Sequence, residues 1–164
     1  VESAVPSFNV ALKDITVLCI DNDPDVLSGM VELLSAWQCN ILAADSRASA
    51  LAEVANHHND IDILLVDYQL GYAQSTDQNS HQCDHLNKQD DGLTLIKDIR
   101  HQYNQNLPAI LITAATEAGL EQKANNDNVG YMAKLIKPAA LRALMSAMLA
   151  KKLQADYLDY SEYQ

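Results

Sequence analysis

The sequence predicts an α/β fold, a doubly wound five-stranded parallel sheet with helices on both faces. Two observations carry that expectation. Short apolar runs alternate with stretches of helical periodicity through most of the chain. Two of those runs also end in a carboxylate: Ile15-Thr16-Val17-Leu18-Cys19-Ile20 in Asp21, and Ile61-Asp62-Ile63-Leu64-Leu65-Val66 in Asp67. In a parallel sheet ligands collect beyond the carboxyl ends of the strands, so Asp21 and Asp67 share one acidic pocket if their strands are neighbours. Such a pocket suits a hard cation and a phosphoryl group.

The elements follow in order. Residues 1–13 have no lasting period and read as a linker, with regular structure beginning near Asp14. After the first strand, Val26, Leu27, Met30, Val31, Leu33, Leu34 and Trp37 recur at helical spacing, and Pro24 stands where a first helical turn tolerates it. Cys39 to Ala43 is a short second strand, and Ser46 begins a second helix with Leu51 and Val54 turned inward. The Asp67 strand is third. Residues 71–91 form a polar loop without periodicity, longer than the ~12–15 residues beyond which a loop is usually functional or disordered. It leaves directly from the Asp67 strand and is expected to overhang the pocket. Gly92 to Tyr103 is a third helix through Leu93, Ile96 and Ile99, and Ala109 to Thr113 a fourth strand. A weak, polar fourth helix is expected over Glu117 to Ala124, a fifth strand over Tyr131 to Ile136, and a long last helix from Pro138. The tail 151–164 carries Tyr157, Tyr160 and Tyr163 and reads as an extension of that helix, or as a stripe for docking a partner.

Composition excludes several classes. A chain of 164 residues holds one domain with a full core. A formal net charge of -11 argues against nucleic acid and against anionic membrane surfaces, both of which need clustered Lys and Arg. Cys19, Cys39 and Cys83 are odd in number and scattered, which reads as a reduced, cytoplasmic protein. No apolar run approaches the ~18 residues of a membrane span, so no direct membrane insertion is expected. There is no signal-peptide pattern, and a start at Val1 reads as a piece of a larger protein.

Over roughly Asp14 to Ala150 the chain resembles the receiver domains of two-component signalling, which have a flavodoxin-like fold. The motifs are Ile20-Asp21-Asn22-Asp23-Pro24, the strand-ending Asp67, Thr113-Ala114, and Tyr131-Met132-Ala133-Lys134. The resemblance implies that Asp67 accepts a phosphoryl group from a phosphohistidine on a histidine kinase or histidine phosphotransfer domain. It implies Mg²⁺ held by Asp21, Asn22, Asp67 and the backbone carbonyl of Gln69. Thr113 and Lys134 answer the phosphoryl oxygens, and Tyr131 is the aromatic switch. A carboxylate nucleophile needs nearby cations to neutralise the transferring group, so the residue types agree with the chemistry.

Two departures matter. The family usually has an acid where Asn22 stands. An amide oxygen still ligates a hard cation, but the lost attraction is on the order of 1–4 kcal/mol for charges ~4 Å apart. Weaker Mg²⁺ binding is expected, with Asp23 as a partial substitute. Lys137-Pro138 imitates the family's Lys-Pro dipeptide, yet Tyr131 stands three residues before Lys134, which makes Lys134 the family's lysine. Leu135 then replaces the usual proline, and the cis peptide common there is not expected.

Bland readings stand beside these. Asp21, Asn22 and Asp23 could simply cap a helix. Asp67 could be a salt-bridged strand-end carboxylate, Lys134 could face solvent, and Tyr131 could be a half-buried edge aromatic. His81, Cys83 and His85 offer no fourth ligand for structural zinc, and His57 and His58 favour the negative pole of a helix end. Three functions compete: a phosphoacceptor module resembling the C-terminal receiver of a hybrid sensor histidine kinase, a phosphorylation-independent interaction module, and a Mg²⁺-dependent phosphatase. On the first reading the chain catalyses only its own phosphorylation and dephosphorylation, and any kinase activity lies elsewhere in a larger protein.

Overall fold

The computed structural model describes residues 10–57, 59–71, 91–114 and 117–163. In chain order the elements are β1 (Thr16–Ile20), α1 (Pro24–Ala36), β2 (Asn40–Ala44), α2 (Arg47–His57), β3 (Ile63–Asp67), α3 (Gly92–Gln102), β4 (Ala109–Thr113), α4 (Leu120–Asn126), β5 (Gly130–Ala133) and α5 (Pro138–Glu162). The strands form one sheet in the order β2-β1-β3-β4-β5, every neighbouring pair parallel.

Alternation along the strands divides the core in two. Leu18 and Ile20 of β1, Leu64 and Val66 of β3 and Leu111 of β4 face a cluster closed by Ala50, Val54, Leu95, Ile96, Ile99, Leu120 and Ala124, the buried positions of α2, α3 and α4. The intervening residues Val17, Cys19, Ile63, Leu65, Ile110 and Ile112 face Met30 and Leu34 of α1 and Leu141, Met145 and Leu149 of α5. Because both faces are covered, the strands read as continuous apolar runs rather than as a polar/apolar alternation.

Several boundaries differ from expectation. Packing begins before Asp14: Leu12 is buried, its carbonyl accepts from the Cys39 thiol at 3.4 Å, and Val10 packs beside it. The helix expected over Glu117 to Ala124 starts at Leu120, after Gly119 in a left-handed conformation, and runs to Asn126. β5 closes at Ala133, short of Ile136, and α5 continues through most of the tail. The peptide joining Lys134 to Leu135 is cis, against the expectation for a bond without proline. That expectation weighed the bond by itself, whereas Lys134 is held at both ends by neighbours described below. Residues 72–90, with His81, Cys83 and His85, lie outside the described residues, as does His58. Among the described residues no helix is long and apolar enough to cross a membrane.

Candidate functional site

β1 and β3 are neighbours, with Ile20 opposite Val66, so the residues that follow them, Asp21 and Asp67, emerge side by side at the carboxyl edge of the sheet. Both are buried, at 6% and 7% exposure. β4 lies beside β3 and ends in Thr113, which is also buried. β5 lies beyond β4, and Lys134 just past its end donates its backbone N–H to the Thr113 carbonyl at 2.8 Å. From there the lysine reaches back: Nζ lies 2.9 Å from Asp21 Oδ2 and 3.3 Å from Asp67 Oδ1. One ammonium thus bridges two carboxylates from neighbouring strands. Lys137 instead precedes α5 as an exposed cap residue.

The electrostatics follow from burial. Desolvation first, and then the charge of Asp21, push the Asp67 carboxyl above its ordinary value. Lys134 and the Gln69 N–H oppose the shift without cancelling it. For Lys134, burial favours the neutral amine, but the hydrogen bonds and charges of Asp21 and Asp67 outweigh it and raise the ammonium. The result is a carboxylate kept partly dry beside a fixed cation, a setting for nucleophilic attack on an electrophile whose charge the lysine neutralises.

The remaining expected residues are placed differently. Asn22 is exposed, and its amide nitrogen packs against Gly71, where a Cβ would lie 3.0 Å away. The Asp21 carboxylate also accepts from the Asp23 N–H at 2.9 Å. Asp23 itself is spent on α1, accepting from the N–H groups of Asp25 and Val26. Gln69 is exposed and forms an isolated bridge with Asp91. Among the described residues no three of His, Cys, Asp and Glu gather into a metal cluster. A cation here would therefore rely on the Asp21 and Asp67 carboxylates supplemented by amide and backbone oxygens of Asn22 and Gln69, an all-oxygen set that fits a hard ion. Tyr131 is half-buried on β5, opposite Leu111, and packs against the cluster shared by α3 and α4.

Two features escaped the sequence reading. Gly92 opens α3 against the end of β3, where Asp67 stands. A Cβ there would sit 2.1 Å from the Asp67 carbonyl oxygen, so only glycine lets the helix start approach this strand end. Its N–H donates to the Tyr68 carbonyl at 2.8 Å, and Asp91 caps the helix through Thr94 N–H at 2.7 Å. The signal available in sequence was the Asp91-Gly92 pair after a long loop. The second feature is Tyr68, next to Asp67, whose hydroxyl donates to Glu117 at 2.9 Å. Burial and the Glu117 bond push the phenol up to about 12. Lys123 of α4 holds the other Glu117 oxygen at 3.5 Å.

Comparison with known proteins finds likeness in structure. No protein-family model and no curated protein matches the chain in sequence. Among solved structures, a response regulator receiver domain protein from Clostridium thermocellum superposes with a TM-score of 0.69 at 16% identity, covering 84% of this chain and 96% of that one. A signal receiver domain of an HD domain-containing protein from Pseudomonas fluorescens gives 0.67 at 21% identity, covering 85% and 98%. A CheX–CheY complex with BeF3 and Mg from Borrelia burgdorferi gives 0.65 at 18%, covering 82% and 89%. The chain has the flavodoxin-like receiver fold.

Proposed function

We propose that this chain is a phosphoacceptor signalling domain in which Asp67 takes a phosphoryl group from a phosphohistidine. The observation that carries the reading is the Lys134 ammonium shared between Asp21 and Asp67, with Thr113 at the end of β4, the strand between those of Asp67 and Lys134. A carboxylate oxygen of Asp67 attacks phosphorus. The P–N bond breaks, its electron pair stays on the imidazole nitrogen, which takes up a proton, and an acyl phosphate is left on Asp67. Lys134 pairs with one phosphoryl oxygen and Thr113 donates its hydroxyl to another. Asp21, Asn22, Asp67 and the Gln69 carbonyl would hold Mg²⁺, which supplies further neutralisation of the phosphoryl charge. Water later attacks the acyl phosphate and regenerates the carboxylate.

The fitting partner is a histidine kinase or a histidine phosphotransfer domain, in keeping with the resemblance to the receiver of a hybrid sensor kinase. An aspartyl phosphate carries about -1.5 to -2 charges in place of the carboxylate's -1. Lys134 and Thr113 answer them, and Tyr131 with the short, polar α4 forms the element whose balance shifts.

Incubation with Mg²⁺ and a small phosphodonor, followed by intact-mass measurement, tests this reading. One phosphoryl group should appear on the wild type and none on Asp67→Asn. Labelling of that variant at the wild-type rate would refute the assignment. The rival reading, a phosphorylation-independent interaction module, draws on one observation: Asn22 contributes no charge and Asp23 is committed to capping α1. It predicts that the wild type also stays unlabelled.

A further inference from the structure

At the edge of the sheet opposite Asp67, where the strands begin, an open hollow of ≈ 230 Å³ lies beside α5. Its apolar walls are Val10, Ile15, Ile61, Leu149 and Leu153, and Leu153 remains 44% exposed. The charged groups at its rim already have partners: Asp62 accepts from the Thr16 N–H at 2.8 Å, and Lys152 pairs with Asp156 at 2.7 Å. The hollow therefore suits an apolar body. A cavity of ~150 Å³ lined by aliphatic and aromatic side chains accepts benzene, so the space here admits one aromatic ring.

The chain supplies such a ring close by. The described residues begin at Val10, which itself lines the hollow, and burial alternates from there: Val10 is half-buried, Ala11 exposed, Leu12 buried and Lys13 exposed. The two inward members, Val10 and Leu12, belong to the same face of the core. In the sequence the alternation continues backwards through Asn9, Phe8 and Ser7, as polar, apolar and polar. Residues two apart in an extended chain point to the same side, about 6–7 Å from one another, so Phe8 shares the inward phase of Val10 and Leu12 and reaches the hollow that Val10 lines. We infer that this hollow is the seat of Phe8, and that the segment before Val10 docks against α5 as a strap across the amino edge of the sheet. With the ring seated, Ile15, Ile61 and Leu153 gain an apolar cover while Ser7 and Asn9 stay in water. Residues 8 and 9 then belong to the domain and not to a linker before it. The strap joins the start of the chain to the last helix, at the end of the sheet away from Asp67.

Phe8 is the single phenylalanine of the chain, so isotope labelling of its ring gives one assignable set of signals in the full protein. Those ring protons should show nuclear Overhauser contacts with the methyl groups of Ile61 and Leu153. A ring without such contacts, its signals placed as in urea, would overturn the proposal. So would contacts that run from labelled to unlabelled chains in a mixed sample, which would give the hollow to a second copy. A double-mutant cycle reads the same seat through stability. Phe8→Ala should lower the thermal midpoint by about 4–8 °C, the scale of one buried aromatic in a chain of this size. In a Leu153→Ala background the same substitution should cost no more than about half as much, because the wall against which the ring packs is gone. An unchanged midpoint in Phe8→Ala, or equal losses in the two backgrounds, would refute the contact.

Discussion

Replacing Lys134 with Met tests the centre of the site most directly, because one side chain neutralises two buried carboxylates. The contacts are 2.9 Å to Asp21 and 3.3 Å to Asp67. At an effective dielectric of about 20, each such pair attracts by roughly 5 kcal/mol before desolvation and the mutual repulsion of the aspartates are set against it. Removing one partner of a buried pair costs ~3–5 kcal/mol. The Lys134 side chain keeps 19% exposure, so water recovers part of the loss, and a deficit of about 2–3 kcal/mol follows at pH 7. For a chain of this size that lowers the thermal midpoint by roughly 5–10 °C. The pH dependence carries the sign. With the ammonium gone, the folded-state value of the Asp67 carboxyl, already raised with Lys134 present, rises further above the unfolded one, so folding takes up protons. The deficit is full above that raised value and shrinks as pH falls towards the ordinary carboxylate range near ~4. It shrinks again at high pH, because the raised Lys134 contributes its stability below its unfolded value and loses it as pH climbs through the folded one. Urea unfolding of both proteins at pH 7 and near pH 4.5 gives the two deficits. A difference under about 1 kcal/mol at pH 7, or an equal difference at both pH values, would refute the bridge.

Other substitutions probe the surroundings. Asp67→Asn should stabilise the fold at pH 7, since burial and Asp21 raise this carboxyl. The gain should fade as pH drops and the wild type takes up its proton, and an unchanged or lower urea midpoint would contradict this. Gly92→Ala should destabilise by about 1–3 kcal/mol and slow labelling of Asp67, because the new Cβ collides with its carbonyl; a variant gaining the ordinary helix benefit of alanine would show that no such contact exists. Asn22→Asp should tighten Mg²⁺ by the order of tenfold, about 1.4 kcal/mol, in a calorimetric titration, and unchanged affinity would place residue 22 outside the metal's contacts.

What could be read from the sequence was what repeats or terminates. Runs such as Ile63 to Val66 announce a strand covered on both faces, and the carboxylates ending two of them marked the site before any spatial information. Lys134 and Thr113 entered only through their resemblance to a family, because nothing local says that a lysine after β5 reaches past β4 to β3 and β1. Gly92 left only the Asp91-Gly92 pair as a signal, since a close approach is a property of two segments and only one of them is written at any position. Tyr68 and Glu117 are 49 residues apart, and each reads alone as an ordinary surface residue. The ends of α4 and β5 were misjudged for a related reason: α4 buries only Leu120 and Ala124, too few positions to define a period.

These same features bear on how a charge at Asp67 would be felt elsewhere. Lys134 already divides itself between Asp21 and Asp67, so any group that changes the charge on Asp67 must redistribute one ammonium between two partners. Its main chain is bonded to Thr113, and Tyr131 lies three residues earlier on the same edge strand, against the cluster that α4 closes. On the opposite side Tyr68, the residue after Asp67, is bonded to Glu117, and Glu117 to Lys123 of α4. Helix α4 is therefore bound to the site from two directions while contributing little buried surface of its own. A ligand shifts a conformational balance only by its differential interaction with the two states. An element fitted to respond would be one tied to the site yet slightly packed, as α4 is through Lys123 and Glu117.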